Sequence, residues 1–332
     1  MSFDQALELL RSGHRPEAER MLVELAQRAM QDHGAESERH AAALYDVAKL
    51  RVMAGDLASA VEPLQIASAA PLPGEAGERQ RLTYNMNLGD VLDRLDRLDE
   101  AEQVLRDGLQ GRERLYGREH PGYAFGLEPL SAVLFRRGKV DEALEAINQA
   151  VRLLWDDGNP RVAMALATRA PIVIAAGGTA FAESAVLPDE IFDQLVQEVL
   201  ARANRDEPAL HLVVLQELQE TISPRRGAGD PAIGRVLAAM SNAAREAGQD
   251  DVRIAVLRVL VAWLDQRDDR EQALEVVLGL GQALDEAAEP DAARQAYEDA
   301  CTRAEQLGAA ADPQALVART ALQAMAQRMD EP

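Results

Sequence analysis

Residues Leu88 to Ala124 read LGDVLDRLDRLDEAEQVLRDGLQGRERLYGREHPGYA. Apolar residues recur at helical spacing up to Leu95, Asp96 interrupts them as a turn residue, and the spacing resumes through Leu98, Ala101, Leu105 and Leu109. A linker follows, and Pro121 opens the next helix. Proline is suited to a first helical position, because its φ is already helical and the N–H it lacks would have no partner there. The stretch therefore predicts helix, tight turn, helix, linker.

The pattern recurs on both sides. Ala18, Ala60, Ala101 and Ala143 are spaced by 42, 41 and 42 residues. Five positions before each stands a turn residue (Gly13, Gly55, Asp96, Gly138), and four positions after each stands Leu22, Leu64, Leu105 or Ile147. Two antiparallel helices joined by a short turn approach closely only where a small side chain faces the partner, and a larger one overpacks the site. One hairpin cannot bury its own apolar face, so such units must stack.

The composition agrees. The chain has 332 residues, 47% hydrophobic but only 4% aromatic, with small and straight-chain apolar types that favour helices over strands. The net charge of −21 argues against nucleic acid and anionic membrane as partners. The densest basic runs, Arg136-Arg137-Gly138-Lys139 and Arg225-Arg226, fall where turns are expected and read as solvated corners. The lone cysteine, Cys301, excludes an internal disulfide and fits a reducing compartment. The start, MSFDQALELLRSG, lacks the basic opening and apolar run of a signal peptide, and no stretch approaches the length of a membrane span. A cytoplasmic location is the expectation.

The unit at Leu88 and the next one, LSAVLFRRGKVDEALEAINQAVRLL from Leu130, resemble the tetratricopeptide repeat family, in particular the long-linker variant of kinesin light chains and many bacterial proteins. Leu88, Gly89, Leu98, Ala101, Leu105 and Leu109 carry the resemblance, with the linker Tyr116-Gly117-Arg118-Glu119-His120-Pro121. The resemblance is specific over about residues 1–155. It implies an all-α, right-handed superhelical solenoid of antiparallel helix hairpins, about eight of them. Residues 1–158 are expected to form the regular array. Residues 159–332 are expected to continue it as degenerate hairpins with a C-terminal capping helix.

In that second half, helices are expected at 160–176, 189–203, 207–222, 231–247 and 250–266, with a loop at 177–188 and another from Ile222 to Pro231. Pro171 should kink or end the first of them. The repeat pattern returns at Leu280, Gly281, Leu284, Pro290, Ala293, Tyr297 and Ala300. A last helix from Asp312 to Met329 would cap the array, with Gln314, Arg319, Gln323, Gln327 and Arg328 on its polar outer face.

Catalytic chemistry finds no footing, and no enzyme activity, cofactor or metal is expected. The five histidines show no HExxH spacing. His33 and His40 read as surface residues across a linker, and the family linker gives His120 a structural role. Cys301 reads as a buried, inert thiol. Gly227-Ala228-Gly229 with Gly234 lacks the strand and the lysine of a phosphate loop. The acidic pairs sit at turns and helix starts, where they favour the helix dipole.

The resemblance also implies where a partner binds, since the first helix of each family hairpin lines the concave groove. The groove positions map onto Tyr45, Lys49 and Val52, onto Thr83, Met86, Asn87, Asp90 and Arg94, and onto Phe125, Glu128, Phe135 and Arg136. Asn87 matches an asparagine that holds the ligand backbone in kinesin-light-chain-like repeats, and an amide both donates and accepts. The next unit departs from the pattern, with Pro129 at the matching position. Lys49, Asn87 and Arg94 form a sparse version of the carboxylate clamp of chaperone-binding relatives. Tyr45, Phe125 and Phe135 serve equally as packing between hairpins. The expected function is a scaffold or adaptor that binds a neutral to basic protein or peptide in the groove. The alternative is a peptide-sensing module that switches a separate output protein. Self-association through the end units is open to it.

Overall fold

A computed structural model describes residues 3–182, 186–202 and 207–330, except the side chains of 309, 310, 312, 329 and 330. Among the described residues there are sixteen α-helices and no strand. They fall into two compact units, Met1–Ile172 and Val173–Pro332.

Unit 1 holds α1 (Phe3–Arg11), α2 (Arg15–His33), α3 (Glu38–Met53), α4 (Leu57–Ala69), α5 (Gly74–Arg94), α6 (Leu98–Tyr116), α7 (Pro121–Arg136), α8 (Val140–Asp156) and most of α9 (Val162–Ala175). The four predicted turns share one geometry. The N–H groups of His14, Asp56, Arg97 and Lys139 donate back to the carbonyls of Leu9, Arg51, Leu92 and Leu134. The residue before each of these four is in the left-handed region, with φ of 82° at Gly13, 79° at Gly55, 60° at Asp96 and 74° at Gly138. This is the closed helix C-terminus in which one left-handed residue lets the chain satisfy the last carbonyls and reverse.

The four aligned alanines are fully buried. Leu22, Leu64, Leu105 and Ile147, one turn further on, are nearly so. Each such aliphatic side chain contributes roughly 2 kcal/mol by leaving water. The partner of Leu105 is Gly89: a Cβ there would lie 2.5 Å from a Leu105 methyl carbon. The linker's His120 has a structural role, as the N-cap of α7. His120 Nδ1 accepts from the Gly122 N–H at 2.9 Å, and its ring stacks on Tyr116 with centroids 5.0 Å apart.

Each helix of unit 1 from α1 to α8 packs on its sequence neighbour. The odd helices also touch one another in series, α1 with α3, α3 with α5 and α5 with α7. They form the closer-packed, inner row of the unit.

Unit 2 holds the end of α9, then α10 (Asp189–Ala201), α11 (Pro208–Arg226), α12 (Pro231–Glu246), α13 (Asp250–Gln266), α14 (Arg270–Glu286), α15 (Pro290–Leu307) and α16 (Asp312–Asp330). The closing hydrogen bond recurs from Gln249, Asp269 and Glu289 to Ala244, Leu264 and Leu284. Two of these turns place non-glycine residues in the left-handed region, Asp268 at φ 57° and Ala288 at φ 58°. Gly281 meets the Tyr297 ring at 2.8 Å from a would-be Cβ, the same contact that Gly89 makes with Leu105.

Several expectations are corrected. Of the two effects expected of Pro171, ending its helix is overturned, since α9 continues to Ala175. The loop expected from Ile222 is shorter: α11 runs through Pro224 to Arg226 and stops at Gly227, φ 85°. A proline in a last turn removes one intrahelical bond, and here Glu220, whose carbonyl loses its donor, is exposed to water. His40 is not a surface residue but is 7% exposed, its Nδ1 2.7 Å from the Ala35 carbonyl oxygen. Cys301 is only partly buried, against the α13–α16 core. Residues 183–185 of the 177–188 loop, and residue 203 at the end of the 189–203 helix, lie outside the described residues.

Candidate partner-binding face

The residues mapped onto the groove all stand on the inner row, α3, α5 and α7, and the structure gathers most of them into three groups and one separate ion pair. The first joins α1, α3 and α5. Tyr45 stacks on Tyr84 with centroids 4.6 Å apart and planes tilted by 39°. The Asn87 side chain reaches the Tyr45 hydroxyl and its Nδ2 also donates to the Thr83 carbonyl at 2.8 Å. Burial first, then the charge of Asp46, push the Tyr45 phenol up, and the bond to Asn87 opposes them. The Lys49 ammonium lies 3.7 Å from the Phe3 ring centroid, 5.5 Å from that of Tyr45 and 3.5 Å from Asp46 Oδ1. Burial pushes the Asp46 carboxyl above the usual range, and Lys49 only partly offsets it.

One turn along α5, Asp90 and Arg94 form an exposed pair at 3.6 Å. Such a pair contributes little to stability and remains available to a ligand.

The second group surrounds Arg161. Its guanidinium sits 4.7 Å from the Phe125 ring centroid and 3.4 Å from Glu128 Oε2. Glu128 Oε1 also accepts from the Thr168 hydroxyl at 2.7 Å. Phe125 and Glu128 thus tie α7 to Arg161, just before α9, and to Thr168 in the middle of α9.

Arg136 forms a third group. It donates to the Asp93 carbonyl at 2.5 Å, to Asp93 Oδ1 at 2.6 Å and to Asp96 Oδ1 at 3.0 Å, so it clasps the turn of the preceding hairpin. Arg137 and Lys139 meet on Glu102, which also binds Arg106. The basic run at 136–139 is thus an ion-paired corner rather than a solvated one. The same holds for Arg225 and Arg226. They stack on Phe192, at 4.3 and 5.0 Å, and pair with Asp189 and Asp193.

Each mapped cation already faces a carboxylate: Lys49 faces Asp46, Arg94 faces Asp90, and Arg136 faces Asp93 and Asp96. A ligand carboxylate would have to compete with all of them. Phe3, Asp46, Tyr84 and Arg161 complete these groups without having been named by the mapping. The glycine-rich segment at 227–234 also has a structural role: Ala228 and Gly229 carbonyls accept from Trp263 at 2.9 Å and Arg267 at 2.6 Å. Among the described residues no helix is long and apolar enough to cross a membrane, and no group of three or more His, Cys, Asp or Glu could hold a metal.

Residues 80–154 match the family model described as tetratricopeptide repeat. No curated protein matches the chain. Among solved structures, it is similar to the nearly identical tetratricopeptide-like repeats of a kinesin light chain of Podosopora anserina. That match has 17% identity over 68% of this chain and 95% of the other, with a TM-score of 0.43. It is similar to BtubC of P. vanneervenii at 15% identity, over 76% and 90%, with a TM-score of 0.43. It is also similar to a Rap protein complexed with Competence and Sporulation Factor at 14% identity, over 86% and 74%, with a TM-score of 0.44. The family match covers α6 and α7 and their neighbours, the same hairpins in which buried alanines, closed turns and the proline-opened linker recur, and it is over residues 80–154 that the chain carries tetratricopeptide repeats.

Proposed function

We propose that the chain is a protein-interaction scaffold whose unit 1 binds a segment of a partner protein along the inner row formed by α1, α3, α5 and α7. The continuity of that row carries the reading. It offers aromatic rings, an amide and exposed charged pairs on consecutive hairpins, and an extended or helical segment could engage them one after another. Tyr45, Asn87, Asp90 and Arg94 make the main contacts in this reading, with Phe125, Glu128 and Arg136 at the far end, and Lys49 stands between the Phe3 and Tyr45 rings at the near end. The net charge of −21 selects a neutral to basic partner and an association that weakens with salt.

The test is affinity capture with the wild-type chain and an Asn87→Ala, Asp90→Arg variant as paired baits. Both residues are partly or fully exposed, so the variant should keep the fold, checked by circular dichroism. A protein retained by the wild type, lost with the variant and competing with its own excised segment supports the inner row. A partner held equally by both overturns it.

A further inference from the structure

The lysine content is unusual for a chain with 35 basic residues. Lysine occurs only at Lys49 and Lys139, and every other cation is arginine. Lys139 is bound to Glu102, between α6 and the start of α8. Lys49 lies on the inner row instead, between two aromatic faces and a carboxylate. Its ammonium is 3.7 Å from the Phe3 centroid, 5.5 Å from the Tyr45 centroid and 3.5 Å from Asp46 Oδ1. Tyr84 backs the Tyr45 ring and fixes its position.

Two rings and an acid around one ammonium are the components of a cation receptor. This one opens to solvent: the Lys49 side chain is 37% exposed and that of Asp46 34%. A second acid, Asp4, lies close enough to act on Asp46. Lysine sits on a flexible stem of four carbons and can leave without moving the backbone. Replacing one ammonium by another leaves the charge inside the box unchanged. The exchange is therefore nearly neutral in itself, and its direction is set by the other contacts of the incoming chain.

We propose that Phe3, Tyr45 and Asp46 form a receptor for a lysine or arginine side chain of the bound partner, and that Lys49 fills it when the chain is unbound. The proposal rests on the reading of the inner row as the binding face, and it assigns that face a cationic anchor. The occupant is a basic side chain of a protein because the box continues into the Asn87 amide, which suits a peptide backbone, and because the chain around it carries a large negative charge.

The two-lysine composition makes the test direct. With carbon-13 at lysine Cε, the protein gives two lysine signals by NMR. That of Lys49, which lies over the Phe3 ring, is expected upfield, and that of Lys139 serves as internal control. The probes are a short serine–glycine peptide carrying one central lysine and the same peptide with glutamine in its place. The expected result is that the lysine peptide moves the Lys49 signal toward the free-lysine position and leaves Lys139 in place, whereas the glutamine peptide moves neither. Lys49→Ala, with the box vacated, should bind the lysine peptide several-fold more tightly than the wild type, and Phe3→Leu several-fold more weakly. Backbone shifts along α3 and α5 with an unmoved Lys49 signal would overturn the receptor and keep the binding face. No shift along the inner row with either peptide would overturn both. Displacement of Lys49 by spermidine but not by the peptide would overturn the assignment to a protein side chain.

Discussion

Leu105 occupies the space that a side chain at Gly89 would need, and Tyr297 does the same at Gly281, the same number of residues further along the chain in both cases. The contact locks the two helices of a hairpin together, once in each unit. The would-be Cβ atoms meet Leu105 at 2.5 Å and Tyr297 at 2.8 Å, so a methyl group at either glycine must push a large side chain out of a filled core. Gly89→Ala and Gly281→Ala should each destabilise by about 1–3 kcal/mol, measured by urea unfolding. Leu105→Ala makes room, so its cost should shrink when combined with Gly89→Ala. Simple additivity in that double-mutant cycle would contradict the contact.

The turn between α14 and α15 gives the opposite expectation. Ala288 holds φ 58°, a conformation in which a Cβ costs roughly 1–2 kcal/mol. Ala288→Gly should relieve that cost less the greater freedom of glycine in the unfolded chain, a net gain of about 0.5–1 kcal/mol. Gly138→Ala, at φ 74° in the equivalent turn of α7 and α8, should lose a similar amount. The measurement is the shift in urea midpoint of each variant.

These turns and small-residue seams are also what made the fold legible. Turn residue, alanine and leucine repeat at one period, and each is required locally by the hairpin, so periodicity reveals them. Further along, the helices expected at 231–247 and 250–266 agree within a residue with α12 and α13. The departures came where tertiary surroundings decide. Nothing local shows that Pro224 can be carried in the last turn of α11, or that His40 is buried against the Ala35 carbonyl. The candidate face was legible only as a row of helix positions. Phe3 and Lys49 are brought together by the packing of α1 on α3, and Arg161 reaches Phe125 across a hairpin, so neither contact has a spacing that a sequence displays.

Glu102 gives a pH dependence with a defined sign. Its side chain is 8% exposed. Burial alone would raise its carboxyl, but bonds from Lys139, Arg106 and Arg137 outweigh this and hold it at about 2. A carboxyl depressed in the folded state stabilises it fully above the unfolded value near 4.5, and the contribution is lost as pH falls from there through about 2. Because its three partners are partly exposed, the contribution is about 2 kcal/mol. Glu102→Gln should lower stability by that order at pH 7. Its stability should also fall less steeply than that of the wild type between pH 5 and 2. Parallel profiles in urea unfolding would show that the cluster is not the acid-sensitive element.

In unit 2, Trp263 provides a readout for the segment that resembles a phosphate loop. A Cβ on Gly234 would lie 2.5 Å from the Trp263 ring, whose Nε1 donates to the Ala228 carbonyl at 2.9 Å. Arg267 covers the other part of the ring at 4.8 Å and donates to the Gly229 carbonyl. The glycines therefore admit an indole and free two carbonyls to accept from α13, a role in packing that needs no ligand. Gly234→Ala should displace the indole and break the bond to Ala228. The expected outcome is a loss of about 1–3 kcal/mol and a red-shifted tryptophan emission. The chain has two tryptophans, Trp155 and Trp263, so the measurement is made in a Trp155→Phe background to isolate Trp263. Added phosphate should change neither quantity in the wild type. A phosphate-dependent emission shift there would return the segment to the ligand-binding reading that the carbonyl-facing geometry opposes, because carbonyl oxygens repel an anion that backbone N–H groups would attract.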